Sequence, residues 1–251
     1  MKRIILILYQ LFVWLPLFLA ATILAATAVI VGCMCGGEKF FGHYPGAWWA
    51  RFTCIITLCP TSVKGWEKLD RNRSYIFVSN HQGAFDIFFI YGYIGQRIKW
   101  VMKQSLRNIP LVGKACETAG FIFVDNSSPQ AAAKTVAIAE SRLTGGASIV
   151  IFPEGSRSQT GKLGKFKKGA FQMALDLKLP IVPVTINGSY EVMKKGSFLI
   201  NPHRMEMVIH DPISTENIEA TDLRQMAAAL KFLSEETKNA IESGLWERYK
   251  K

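Results

Sequence analysis

From Ile4 to Val31 the chain carries no charged residue, and Gln10 is its only strongly polar one. That run exceeds the ~20 residues with which a helix crosses the hydrocarbon core. It is also longer than the ~7–15 apolar residues of a signal peptide, so it reads as retained, although Ala20, Ala21, Ala25 and Ala26 resemble a cleavage site. Pro16 predicts a kink. A second apolar stretch, about 47–60, is broken by Arg51 and too short to span; Trp48 and Trp49 beside that arginine read as an interfacial helix. Gly36, Gly37, Gly42, Pro45 and Gly46 between the two predict a tight reversal. Two arrangements fit: one span followed by a buried core helix, or a helical hairpin dipping into one leaflet. Residues 1–60 are therefore expected to be a membrane anchor, and 61–251 a separate domain.

After Pro60 the pattern changes. Short β-branched and aromatic runs predict strands at Tyr75–Ser79, Ile98–Met102, Phe121–Val124, Ser148–Phe152, Ile181–Ile186 and Met205–Ile209. Helical patterns lie between them, at Pro129–Leu143 with Ser128 as N-cap, from Gly169 to before Pro180, and over Asp222–Ser243. Strands alternating with helices predict an α/β fold with a mixed, largely parallel sheet flanked by helices. Residues 187–204 carry mainly loop signals, and no element is expected there.

The formal charge is +11, and 26 basic against 18 acidic residues fall after Pro60. Such a surface suits an anionic leaflet, where each basic residue contributes ~1 kcal/mol. Nucleic acid is not expected as a partner, since neither zinc-finger spacing nor an aromatic RNA-binding run is present. The five cysteines show no metal-ligand spacing and read as apolar filler, so no metal is expected.

Two constellations carry chemistry. Ser79-Asn80-His81-Gln82-Gly83-Ala84-Phe85-Asp86 follows directly on a strand, where open α/β sheets expose functional groups. On a regular helix His81 and Asp86 would point ~140° apart. They meet only if the chain turns between them, which Gly83 makes easy. Asp86 can then fix one ring nitrogen of His81 and leave the other as a base. The motif holds no obvious Ser or Cys nucleophile, so the pair is expected to act on a hydroxyl of the substrate. Ile151-Phe152-Pro153-Glu154-Gly155-Ser156-Arg157-Ser158 again ends a strand, and supplies a carboxylate, a turning backbone and a guanidinium fork suited to phosphate.

His81-x4-Asp86, followed about seventy residues later by Phe-Pro-Glu-Gly-Ser-Arg-Ser, resembles the HxxxxD glycerolipid acyltransferase family, and within it the 1-acylglycerol-3-phosphate acyltransferases. Gly120-Phe121-Ile122-Phe123-Val124-Asp125 and Leu179-Pro180-Ile181-Val182-Pro183-Val184 supply two further blocks in the same order. The resemblance implies transfer of an acyl group from acyl-CoA or acyl-carrier protein to lysophosphatidic acid, with no metal or prosthetic cofactor. It implies His81 as the base and Asp86 as its orienting partner, with Glu154, Gly155 and Arg157 shaping the acceptor site. Lys103 is a candidate for a second phosphate or oxyanion contact. It also implies a phospholipid membrane as partner, with the catalytic domain facing the cytoplasm. One departure concerns the acceptor: where the family's middle block often ends in Asp-Arg, this chain has Asp125-Asn126. Another lysolipid acceptor, or a non-catalytic protein binding lipid or acyl carrier, are the competing readings.

Overall fold

A computed structural model describes residues 2–124, 129–143, 146–218 and 222–250. Among these residues one seven-stranded sheet forms: β1 Thr61–Lys64, β2 Ile76–Ser79, β3 Ile98–Lys103, β4 Ile122–Val124, β5 Ser148–Ile151, β6 Ile181–Asn187 and β7 Met205–Ile209, ordered β1-β7-β6-β2-β5-β3-β4. From β6 across to β4 every neighbour is parallel, while β7 runs antiparallel to β6 and parallel to β1. This is the mixed, largely parallel α/β sheet expected from the strand pattern. β2 and β6 are buried along their whole length, as strands covered on both faces must be. β7 alternates buried with half-buried positions, and β1, at the sheet's edge, half-buried with exposed ones. Pro183 is tolerated inside β6 because it lies just beyond the register with β7, which begins at Val184; its carbonyl still accepts the His210 N–H at 3.0 Å. β1 escaped the strand pattern: Thr-Ser-Val-Lys has a single apolar residue.

The helices are α1 Lys2–Tyr9, α2 Leu15–Met34, α3 Glu38–Phe41, α4 Tyr44–Ile56, α5 Phe85–Tyr93, α6 Val112–Thr118, α7 Pro129–Arg142, α8 Gly169–Asp176, α9 Ser189–Val192 and α10 Leu223–Gly244. The Ser128 cap expected for α7 lies outside the described residues. β2 shows how the core divides. Phe77 faces a cluster with α4 and α5, whereas Ile76 and Val78 face one with α8 and α10.

α1 and α2 form one helix, joined by a π-turn at Gln10–Trp14 just before Pro16. Within it the Leu15 N–H reaches back five residues to the Gln10 carbonyl, a local widening of the helix beside a residue that has no N–H to donate. Arg3–Met34 is long and apolar enough to cross a membrane by length and composition. The chain then reverses through α3, and α4 runs back along it. Tyr9 donates to the Ile56 carbonyl (2.7 Å), Trp14 to Thr57 (2.8 Å) and Trp49 to Thr22 (2.9 Å). The shape is a helical hairpin. Further along, Ala26 and Val29 of α2 pack on Ala115 and Ala119 of α6. α4 is no detached interfacial helix: Ala47, Ala50, Cys54 and Ile56 share a core with Phe77, Phe85, Phe89 and Ile90. The boundary expected at residue 60 therefore runs through a continuous core.

Candidate active site

Because β6, β2, β5, β3 and β4 are parallel, their carboxyl ends share one edge of the sheet. His81, Glu154–Arg157 and Ser189 all follow these ends, and Lys103 closes β3. Asn80 extends the pairing of β2 and β6 one step with its side chain, giving Nδ2 to the Ile186 carbonyl (2.8 Å) and taking the Ile186 N–H on Oδ1 (2.7 Å). The backbone is thereby freed to turn at His81.

The turn brings His81 and Asp86 together. Nδ1 of His81 lies 2.7 Å from Oδ2 of Asp86, which also accepts the Gly83 N–H at 2.9 Å. Oδ1 accepts the hydroxyl of Ser189. Asp86 is fully buried at the first turn of α5, where the helix dipole also favours its charge. A carboxylate removed from water needs such donors. Gly83 is required by space, since a Cβ there would sit 2.4 Å from the Ser189 carbonyl oxygen.

The second motif encloses His81. Phe152 stacks on its ring at 4.0 Å and 13°. Glu154 Oε1 accepts the His81 N–H (2.8 Å), and Ser158 N–H donates to the His81 carbonyl (2.8 Å). The other Glu154 oxygen accepts the Gly164 N–H at 2.9 Å, so this carboxylate is occupied in joining two loops to the histidine. Burial pushes the Glu154 carboxyl above its ordinary range, against the pull of those two amides. Gly155 adopts φ +72°, a left-handed turn that admits glycine easily. Asp86 as hydrogen-bond acceptor places the proton on Nδ1. Nε2, with no protein partner among the described residues, carries the lone pair. The arrangement can take a proton from a hydroxyl placed at Nε2 and return it later.

Arg157 is half-buried and Lys103 exposed, and neither makes an ion pair or side-chain hydrogen bond among the described residues. Both guanidinium and ammonium remain available to an anion, Lys103 further out at the end of β3. Asp125 and Asn126 lie outside the described residues. Sequence reasoning missed Ser189, in the stretch left unassigned, and the part Phe152 plays under the imidazole. Asn187-Gly188 immediately after a strand was the one signal for a turn ahead of Ser189.

The Acyltransferase family profile matches residues 61–187, half of the chain and both motifs. The chain belongs to the acyltransferase family. Among relatives, it is 33% identical over 178 residues to the chloroplastic 1-acyl-sn-glycerol-3-phosphate acyltransferase BAT2 of Brassica napus, covering 70% of this chain and 51% of that protein. It is 30% identical over 172 residues to the alpha form of that acyltransferase from Mus musculus, covering 67% and 60%. The chain thus spans about half to three-fifths of the length of these relatives. The crystal structure of the 1-acyl-sn-glycerophosphate acyltransferase PlsC from Thermotoga maritima superposes with a TM-score of 0.76 at 21% identity over 98% of both chains, a likeness of fold. The acyltransferase motifs and the hairpin of this chain fall within that shared fold.

Proposed function

We propose that this chain transfers a fatty acyl group from acyl-CoA or acyl-carrier protein to the sn-2 hydroxyl of lysophosphatidic acid, at a membrane surface facing the cytoplasm. The observation that carries this reading is the open Nε2 of an imidazole held by a buried carboxylate on one side and stacked on Phe152 on the other. The acceptor hydroxyl gives its proton to Nε2 as its oxygen attacks the thioester carbonyl. The tetrahedral intermediate then collapses, and the departing thiolate takes that proton back from the imidazolium. Asp86 orients the ring and offsets its transient charge. Arg157, unpaired beside the loop that holds His81, supports a phosphomonoester acceptor, which carries nearly two negative charges at neutral pH. The names of the relatives agree with that acceptor.

An apolar cavity of about 80 Å³ lies among α2, α4, α5 and α6, lined by Ala26, Val29, Trp49, Tyr91, Cys116 and Phe121. A run of rings from Tyr91 through Trp100 and Phe152 connects it to His81. An acyl chain fits its chemistry. The test is incubation of purified, reconstituted protein with radiolabelled acyl-CoA and acyl-carrier protein against a panel of lysolipids. Labelled phosphatidic acid is the expected product. Labelling of other lysolipids alone would overturn the acceptor assignment, and no labelling at all would overturn the reaction.

A further inference from the structure

The loop between α9 and β7 holds Phe198 almost wholly in the open, 89% exposed, beside exposed Lys194 and Lys195. This is a built projection. Asn201 N–H closes the loop on the Val192 carbonyl at 2.9 Å, Ile200 is buried in the core, and Ser197 Oγ accepts the Leu199 N–H at 3.1 Å. A single exposed ring is ordinary; what sets this one apart is the fixed loop that holds it and the apolar helix to which that loop is tied.

Gln10 tells what kind. It is the polar exception in the uncharged run, and an unpaired amide there would be costly next to lipid. Its Nε2 donates to the Phe198 carbonyl at 2.6 Å, and its Oε1 accepts the Ile200 N–H at 3.1 Å. Both ends of the amide are thus used to fasten the loop to the apolar helix, at the start of its π-turn. The exposed side chains of Leu8, Leu11 and Phe12 lie on the adjoining turns.

We propose that the loop 194–200 is a second membrane contact: Phe198 enters the acyl boundary of a bilayer while Lys194 and Lys195 meet anionic headgroups, and Gln10 fixes the loop's position relative to the anchor helix. The inference rests on the membrane reading of the preceding subsection. Continuity with the apolar helix and the two lysines select an anionic lipid surface as occupant, since an aromatic ring flanked by cations is the composition of interfacial anchors. The loop follows α9, which carries Ser189. Its attachment would therefore set the height of the His81–Asp86 pair above the lipid.

The test uses the full chain reconstituted in phosphatidylcholine–phosphatidylglycerol vesicles, with Phe198→Trp as a loop probe and, separately, Leu11→Trp as a helix probe. Each is read as the difference from the parent's tryptophan emission. Brominated acyl chains are expected to quench both probes, and aqueous acrylamide neither. Adding Lys194→Glu with Lys195→Glu should move the loop probe toward acrylamide quenching, each lysine contributing about fivefold to the loop's interfacial occupancy. Gln10→Leu should do the same while the helix probe stays quenched by brominated lipid. If the helix probe is quenched by lipid and the loop probe only by acrylamide, the loop proposal fails and the anchor reading stands. If neither senses brominated lipid, both fall. Shielding of the loop probe from both quenchers, rising with protein-to-lipid ratio, would assign the loop to a second copy and overturn the lipid proposal.

Discussion

At the residue scale, the site is an imidazole whose every neighbour is accounted for except at Nε2. Removing that nitrogen in His81→Ala is expected to lower turnover by about 10²–10⁴-fold, with the protein still folded and bound to vesicles, in a single-turnover assay with labelled donor. Ser189→Ala removes one of three donors to Asp86. Hydrogen bonds to a charged group contribute roughly 1.5–3 kcal/mol, so kcat should fall about ten- to hundredfold, with little change in the KM of either substrate. A change in KM alone would mean that Ser189 touches substrate. Arg157 has the opposite signature. Arg157→Ala is expected to raise the acceptor KM by about ten- to hundredfold and leave the donor KM nearly unchanged, in initial-rate measurements varying each substrate. Equal effects on both would make Arg157 structural and remove the main support for a phosphomonoester acceptor.

The elements explain why these residues stay put. α9 carries Ser189 and is itself held down: Glu191 accepts the Tyr249 hydroxyl and pairs with Arg248, and Tyr190 donates to the Gln159 carbonyl at 2.9 Å. α4 is the less obvious support. Deleting residues 1–60 strips Ala47, Ala50, Cys54 and Ile56 from the core against α5, the helix that bears Asp86. Such a truncation is expected to give an aggregated or molten product without near-ultraviolet circular dichroism; a soluble, cooperatively melting fragment would show that the hairpin is dispensable. His43, at the start of α4, is buried between Tyr44 and Tyr91, and burial together with the Lys99 and Arg97 charges pushes its imidazole down to about 4. The folded state holds it neutral, whereas the unfolded chain takes the proton near the ordinary ~6.5. Stability from this group is therefore intact above pH 6.5 and lost as pH falls from there toward 4, by roughly 3 kcal/mol in all. Denaturant midpoints should drop over that window in the native sequence and drop less in His43→Phe.

For the whole molecule, the anchor helix is bound to the domain from Gln10 near one end to Glu38 just past the other, where Arg142 faces Glu38 at 3.9 Å. A helix standing upright through the bilayer would carry α6 and its neighbours into hydrocarbon alongside it, where polar backbone and side chains are costly. On the proposed membrane reading, the hairpin would instead set the domain against one leaflet, with the exposed apolar face of the helix toward lipid. On the same reading, the excess of basic residues would favour an anionic leaflet. Trypsin is expected to cut the Lys162–Lys168 loop in vesicles that expose the cytoplasmic leaflet and to spare it in sealed vesicles of the opposite orientation. The reverse result would exclude cytoplasmic acyl donors and take the donor assignment with it.

Much of this protein was legible from local order along the chain. Strands β2 to β7 follow runs rich in apolar residues: β2 and β6, buried on both faces, have to be apolar nearly throughout, while β3 and β7 keep an apolar residue at each buried position. α10 follows its cap, with Asp222 accepting the N–H groups of Arg224 and Gln225 at 2.7 and 2.8 Å. The meeting of His81 with Asp86 was legible too, since five residues and a glycine limit where two side chains can go. What lay outside its reach depends on segments far apart in the chain. Ser189 reaches Asp86 from 103 positions away, and Gln10 reaches Phe198 from 188. Neither pairing leaves a periodic trace, because each rests on one or two hydrogen bonds between segments that only the tertiary fold brings together. The place of α4 was likewise decided by packing. Apolar residues interrupted by Arg51 suit lipid headgroups and a protein core alike, and only the face presented by α5 determines which of them buries Cys54.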